Sequence, residues 1–352
     1  MVQQNTLLVM LVQLVDRIPV PVPLSPAPAK RSRGRPILYS DRLFLKALVV
    51  MIIKHLHSPY ELLCVLEQST SEMQALRPLL TENGRYPSRR TWERRLHALP
   101  DKLPAQLGCL GRHLVQLIKP WANTGRAVVI DSTTLRAKGL VWHKAERERG
   151  EVPDTRIDTQ AHWARSGWHG WVYGWKLHIM SVVADEWIPL VGCLTPGNVS
   201  DSDQQVIQTL VGQLPVPVPV PEQVDTGEQV EQVRFLLGDR HYDTETVRSE
   251  CQKRDIVLVA PRYGGRYLPY PHTDEGVEVR RIFHKLRSVA IENFNEHFKG
   301  IFDAHGQVPT KGLINTTRFA LGALFVYQLA LLYRFEHGLQ LNVGLKPFLK
   351  AA

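Results

Sequence analysis

The sequence predicts an α/β protein in which a mixed sheet flanked by helices follows an all-α, basic N-terminal region. Three observations carry this expectation. The apolar runs Ala127–Ile130, Arg234–Gly238 and Ile256–Ala260 are too short for helices and read as buried strands. Trp175–Val183 and Trp187–Leu194 read as two more strands, joined by the Ala184-Asp185-Glu186 turn. Between Ser40 and Ile118 the apolar residues recur instead at helical spacing.

The elements follow in order. Residues 1–36 form a proline-rich and basic lead-in, expected to be extended and poorly ordered. Its basic run Lys30-Arg31-Ser32-Arg33-Gly34-Arg35-Pro36 is either an arm for an A·T minor groove or an ordinary linker. Leu7–Val15 is apolar but lacks a basic flank and a small-residue cleavage site, so it is not read as a signal peptide. Residues 37–120 are expected to be a helical DNA-binding region, with Ser40 or Asp41 opening its first helix. Residues 121–340 carry the strand runs, with helices expected over 202–214, 244–254, 279–302 and 317–337. Residues 341–352 read as a tail. The apolar run Phe319–Tyr333 is shorter than the ~20 residues of a membrane span and reads as a core helix.

Charge is unevenly placed. Of a formal +9 over 352 residues, the stretch 30–100 holds 13 Lys/Arg against 6 Asp/Glu. A basic N-terminal third points to a polyanionic partner, with nucleic acid the leading candidate. Its densest part, Pro87–Leu96, carries Arg89, Arg90, Arg94 and Arg95 on a capped helix that follows a turn, as in a helix-turn-helix DNA reader. A solvated helix with Arg–Glu pairs is the plainer alternative. The four cysteines, Cys64, Cys109, Cys193 and Cys251, are far apart, which excludes a zinc finger or disulfide framework and suits a reducing cytosol. No G-x-S-x-G elbow is present, so a serine hydrolase is unsupported.

The chemistry-bearing residues are acids. Asp131 and Asp239 each follow an apolar strand run, and Glu292 stands on a long helix, seven residues before Lys299. The fragments Val129-Ile130-Asp131-Ser132-Thr133, Leu237-Gly238-Asp239-Arg240-His241-Tyr242-Asp243 and Glu292-x6-Lys299 resemble the three acidic motifs of DDE insertion-sequence transposases. The third is similar to the Y-x2-R-x3-E-x6-K signature of one large subgroup.

This resemblance implies a ribonuclease H-like catalytic domain, with the first acid on the first strand, the second after the fourth and the third on a helix. It also implies two Mg²⁺ ions (Mn²⁺ possible) about 3.5–4 Å apart, one activating the nucleophile and one stabilising the leaving oxygen. Asp131 would bridge them, Asp239 and Glu292 would flank them, and Lys299 would contact phosphate. The implied activity is cleavage and strand transfer of double-stranded DNA at terminal inverted repeats, by a homodimer pairing two ends. The cytoplasm, at the nucleoid of a prokaryote, is the expected setting. The alternatives are a catalytically silent DNA-binding protein of the same descent and a nuclease without strand transfer.

Two departures qualify the likeness. The subgroup's Tyr and Arg positions hold Lys285 and Ser288, with Arg287 one residue away and still able to contact phosphate. The interval from Asp239 to Glu292 is short and contains no tryptophan, which leaves no room for a β-rich insertion and does not support base stacking there. Finally, His162–Lys176 interleaves aromatic and basic residues. It reads as an aromatic minicore, with Trp168, Trp171 and Lys176 as its DNA-facing candidates.

Overall fold

The computed structural model describes residues 6–21, 38–119, 126–167, 170–214, 233–261, 285–341 and 343–352. The basic run Lys30–Pro36, Trp168, the Pro215–Pro221 stretch and the start of the helix expected from Val279 lie outside the described residues.

Among the described residues the chain opens with six α-helices: α1 (Leu7–Leu14), α2 (Asp41–Ile53), α3 (Pro59–Leu66), α4 (Ser71–Leu79), α5 (Arg89–Ala98) and α6 (Leu103–Ile118). Then come β1 (Ala127–Arg136), α7 (Lys144–Glu148), β2 (His162–Ser166), β3 (Gly170–Val182), β4 (Pro189–Pro196), α8 (Gln204–Val211), β5 (Phe235–Leu237), α9 (Glu245–Gln252) and β6 (Val257–Val259). A π-turn (Ser288–Glu292) leads into α10 (Asn293–Ile301), and α11 (Leu313–Glu336) and α12 (Leu345–Lys350) close the chain.

Two compact units result: Met1–Leu110 with Thr317–Ala352, and Gly111–Thr316. In this grouping residues 317–340, expected with the strand runs, fall with the N-terminal helices. Packing explains it. Arg318 donates to the His57 carbonyl, Gln328 donates to the Leu107 carbonyl, and Gly322 lies against Leu48 and Ile52 of α2. By length and composition α11 could cross a membrane, yet 83% of its most apolar window is buried in the protein.

Two segments outside the expected helices are helical. Thr6 caps α1 by accepting from the Val9 N–H, and Leu8, Val9, Leu11, Val12 and Leu14 are buried. In α12, Leu345 and Leu349 are buried. Apolar side chains need a core, and each short helix supplies one face to it. Ser58, Thr70 and Ser88 cap α3, α4 and α5 by accepting from the N–H three residues on. Trp92 of α5 is fully buried edge-on to Phe44, with ring centroids 5.2 Å apart.

The second unit is a mixed six-stranded sheet flanked by helices. β3 is its hub. Gly174 pairs with both Arg136 of β1 and His162 of β2, so those strands take opposite edges. Trp175 likewise pairs with Leu135 and Pro196, which puts β4 on the same edge as β2. β1 is antiparallel to β3 but parallel to β5, and β5 is parallel to β6. The sequence reading misses β2, whose His-Trp-Ala-Arg-Ser lacks an apolar run. It also stops β1 too early: the strand continues through Ser132–Arg136, paired with β3 as far as Gly174, so Asp131 is mid-strand rather than at a strand end.

Gly322 offers a test of the α2–α11 contact. A Cβ there would lie 2.9 Å from Leu48 Cδ1 and 3.1 Å from Ile52. Gly322→Val should destabilise the protein by about 1–3 kcal/mol through overpacking, read from the urea unfolding midpoint.

Candidate active site

Two aspartates are brought together by strand register. β1 and β5 pair in parallel with Val129 opposite Leu237. Asp131 stands two residues beyond Val129 and Asp239 two beyond Leu237. Asp131 lies within β1 and Asp239 in extended backbone just past the end of β5, on strands ~4.8 Å apart, so the equal offsets bring the two acids near enough for the charge of Asp239 to act on Asp131. Asp239 also caps the 3₁₀ turn Arg240–Tyr242: it accepts from the His241 N–H at 2.8 Å and lies 3.0 Å from His241 Nδ1. Gly238 precedes it because a Cβ there would fall 2.9 Å from Tyr242 Cβ.

The third acid comes from the π-turn. Its defining bond runs from the Asn293 N–H to the Ser288 carbonyl, five residues back. In such a turn, residues five apart stand one above the other, as residues four apart do in an α-helix. Arg287 and Glu292 meet in this way, with Nη1 3.3 Å from Oε1. The other guanidinium nitrogen, Nη2, donates to Asp131 Oδ1 at 3.4 Å. Trp187 supports the turn from outside, its indole N–H donating to the Val289 carbonyl at 2.9 Å.

Burial sets the electrostatics. Asp131 is 15% exposed, and its carboxyl is pushed up from 3.8 to about 7. Desolvation is the main cause, Asp239 and Glu292 add to it, and Arg287 opposes it. Asn295, buried on α10, donates to Asp131 Oδ2 at 3.3 Å while its own Oδ1 has no hydrogen-bond partner. Glu292 is half exposed. Among the described residues no group of three or more His, Cys, Asp or Glu side chains is gathered closely enough to hold a metal ion. Asp131 and Glu292 both face Arg287, while Asp239 faces His241.

The remaining sequence candidates are scattered. Lys299 is buried; desolvation lowers its pKa, opposed by Glu296 at 3.9 Å and by Asp131. Glu296 is exposed and also lies 3.9 Å from His305. Lys176 is not a surface cation. It is 14% exposed and donates to the Val199 carbonyl and to Asp201. The register places it with Ser132 and His178 on the sheet face opposite Asp131. Trp171 is exposed on β3, opposite Arg165 of β2.

On α5 the four arginines divide. Arg95 pairs with Asp41 at 2.6 Å and lies over the Phe44 ring, and Arg89 pairs with Glu93 at 2.8 Å. Arg90 and Arg94 are exposed, one turn apart, with no ion pair among the described residues.

Sequence reading missed Asn295 and the cluster on the opposite face. A signal for Asn295 existed: with Lys299 it is a polar residue on the buried face set by Ile291, Phe294 and Phe298. For Asp201 there was none. Asp203 caps α8, and Asp201 accepts from the Ser132 hydroxyl at 2.7 Å and from Lys176 at 3.1 Å. His178 lies 3.8 Å from Asp201 and is pushed down to about 4, chiefly by burial.

Asp131 carries a pH signature. Its folded pKa lies above the unfolded one, so the folded state holds the proton more tightly and stability falls as pH rises from 3.8 to about 7. Asp131→Asn should flatten that fall and leave the variant more stable than the parent at pH 8, by an amount on the order of a few kcal/mol. Urea unfolding at pH 5 and pH 8 measures it.

No protein-family model and no curated protein matches the chain. Among solved structures it is similar to a cryo-EM structure of a piggyBac transposase synaptic complex with hairpin DNA, at 10% identity and a TM-score of 0.43, covering 98% of this chain and 78% of that one.

Proposed function

We propose that the chain is a DNA transposase of the DDE class, with Asp131, Asp239 and Glu292 as its acids and a ribonuclease H-like sheet as its scaffold. The observation that supports this best is the parallel β1–β5 register, which sets Asp131 near Asp239, with Arg287 linking Asp131 to Glu292. The strand order supports the scaffold. Three antiparallel strands, β4, β3 and β1, are extended by the parallel pair β5 and β6; the first acid lies on β1 and the second two residues past the end of β5.

In this reading the substrate is double-stranded DNA at the ends of a mobile element, handled in the cytoplasm by two copies of the chain. Arg90 and Arg94 contact backbone phosphate, because they face solvent and have no ion pair among the described residues. Arg287 orients the phosphate at the acids, its planar fork matching two phosphate oxygens. Mg²⁺, or Mn²⁺ in its place, is the cofactor suited to an oxygen-only donor set.

The decisive assay is incubation with a labelled terminal inverted repeat and Mg²⁺ or Mn²⁺. The parent should nick and join DNA, and Asp131→Ala should do neither. Cleavage by Asp131→Ala at the parent rate would end the assignment. Binding without cleavage by the parent would indicate a silent descendant, and cleavage without joining a nuclease. Independently, Arg90→Ala with Arg94→Ala should weaken DNA binding and reduce the slope of log K against log salt by about 2. An unchanged slope in a fluorescence-anisotropy titration would remove α5 from the DNA interface.

A further inference from the structure

Two of the three acids of the candidate site, Asp131 and Glu292, share one guanidinium, and this arrangement is built. Arg287 is fixed by the π-turn, which turns it toward Glu292 at 3.3 Å, and it reaches Asp131 at 3.4 Å on the neighbouring strand. It is only 16% exposed, and its Nε has no hydrogen-bond partner. Asn295 takes the other Asp131 oxygen. Both Asp131 oxygens are thus engaged by hydrogen-bond donors of this chain, and a cation approaching Asp131 and Glu292 together meets a fixed positive charge between them. The unpartnered Asn295 Oδ1, in a buried residue, and the unpartnered Arg287 Nε are what a pocket holding polar groups for another occupant displays.

We propose that Arg287 is an internal counter-ion that closes the acidic site to divalent cations and releases it only when a DNA phosphate draws the guanidinium away. This rests on the transposase reading above and adds an order of events: DNA first, cation second. Arg287 can exchange partners because phosphate offers its fork two oxygens, whereas each protein carboxylate here takes a single nitrogen at 3.3–3.4 Å. Coulomb's law sets the direction. A cation next to a fixed positive charge is repelled, and the repulsion vanishes when that charge moves or is deleted.

The test is Mn²⁺ binding to the full chain, followed by electron paramagnetic resonance of free Mn²⁺, with and without a short DNA duplex and with no turnover needed. Without DNA, Arg287→Gln should bind Mn²⁺ about tenfold or more tightly than the parent, and Arg287→Lys should stay within about twofold of it. The duplex should tighten Mn²⁺ binding by the parent and leave Arg287→Gln nearly unchanged. Arg287→Met repeats the comparison in a second uncharged side chain, should the Gln variant not fold. Equal Mn²⁺ affinity of the parent and the uncharged variants, or no effect of the duplex on the parent, overturns the proposal. If Asp131→Asn then still abolishes Mn²⁺ binding, the metal reading of the acids survives that failure. If Asp131→Asn in the Arg287→Gln background binds Mn²⁺ unchanged, the ion sits elsewhere and both fall.

Discussion

The parallel pairing of β1 with β5 is the constraint on which the site depends. It is only three residue pairs long, yet it fixes the relation of two segments more than one hundred residues apart. A slip of β1 by one residue would move Asp131 to the opposite face, because the side-chain period of a strand is two. Neighbouring contacts guard the register. β1 is clamped along its other edge by nine residue pairs with β3, and β5 is held on its far side by β6. The apolar residues that make these strands, Val128, Val129, Ile130, Leu236 and Leu237, are buried, so the core and the placement of the acids have the same cause.

Burial creates the electrostatic problem that the rest of the site answers. Taking Asp131 out of water while setting Asp239 and Glu292 nearby raises the cost of its negative charge. Arg287 and Asn295 offset part of that cost. On the reverse face, Ser132, Lys176, His178 and Asp201 form a separate polar network directly behind the acid. It ties the loop around Asp201 to β1 and β3, so the strand bearing Asp131 is gripped from both faces.

The two aspartates were legible because each follows an apolar run, a local pattern that a single sequence displays. Their adjacency was not, since strand pairing is a long-range property. The reading of Asp131 as a strand-end residue failed for a physical reason. Ser132, Thr133 and Thr134 look like the start of a loop, but β-branched threonines suit a paired strand, and β3 was there to pair with them. Lys176 read as a DNA-facing candidate beside an aromatic minicore because its partner Asp201, 25 residues away, is not visible in the local pattern. The helices were the most legible part, through periodicity and caps. The grouping of α11 with the N-terminal helices was invisible, because an apolar helix does not declare which core it joins.

The π-turn bears on how motifs are recognised. A sequence signature counts residues, while side-chain chemistry counts turns. Inserting one residue into an α-helix normally rotates everything beyond it by about 100° and scrambles the faces. Confined to a π-turn, the same insertion is absorbed locally, and Arg287 still meets Glu292 although five positions separate them. A pattern that counts residues alone does not register that this pair is in contact. A π-turn can thus change the sequence spacing of two side chains while leaving them in contact.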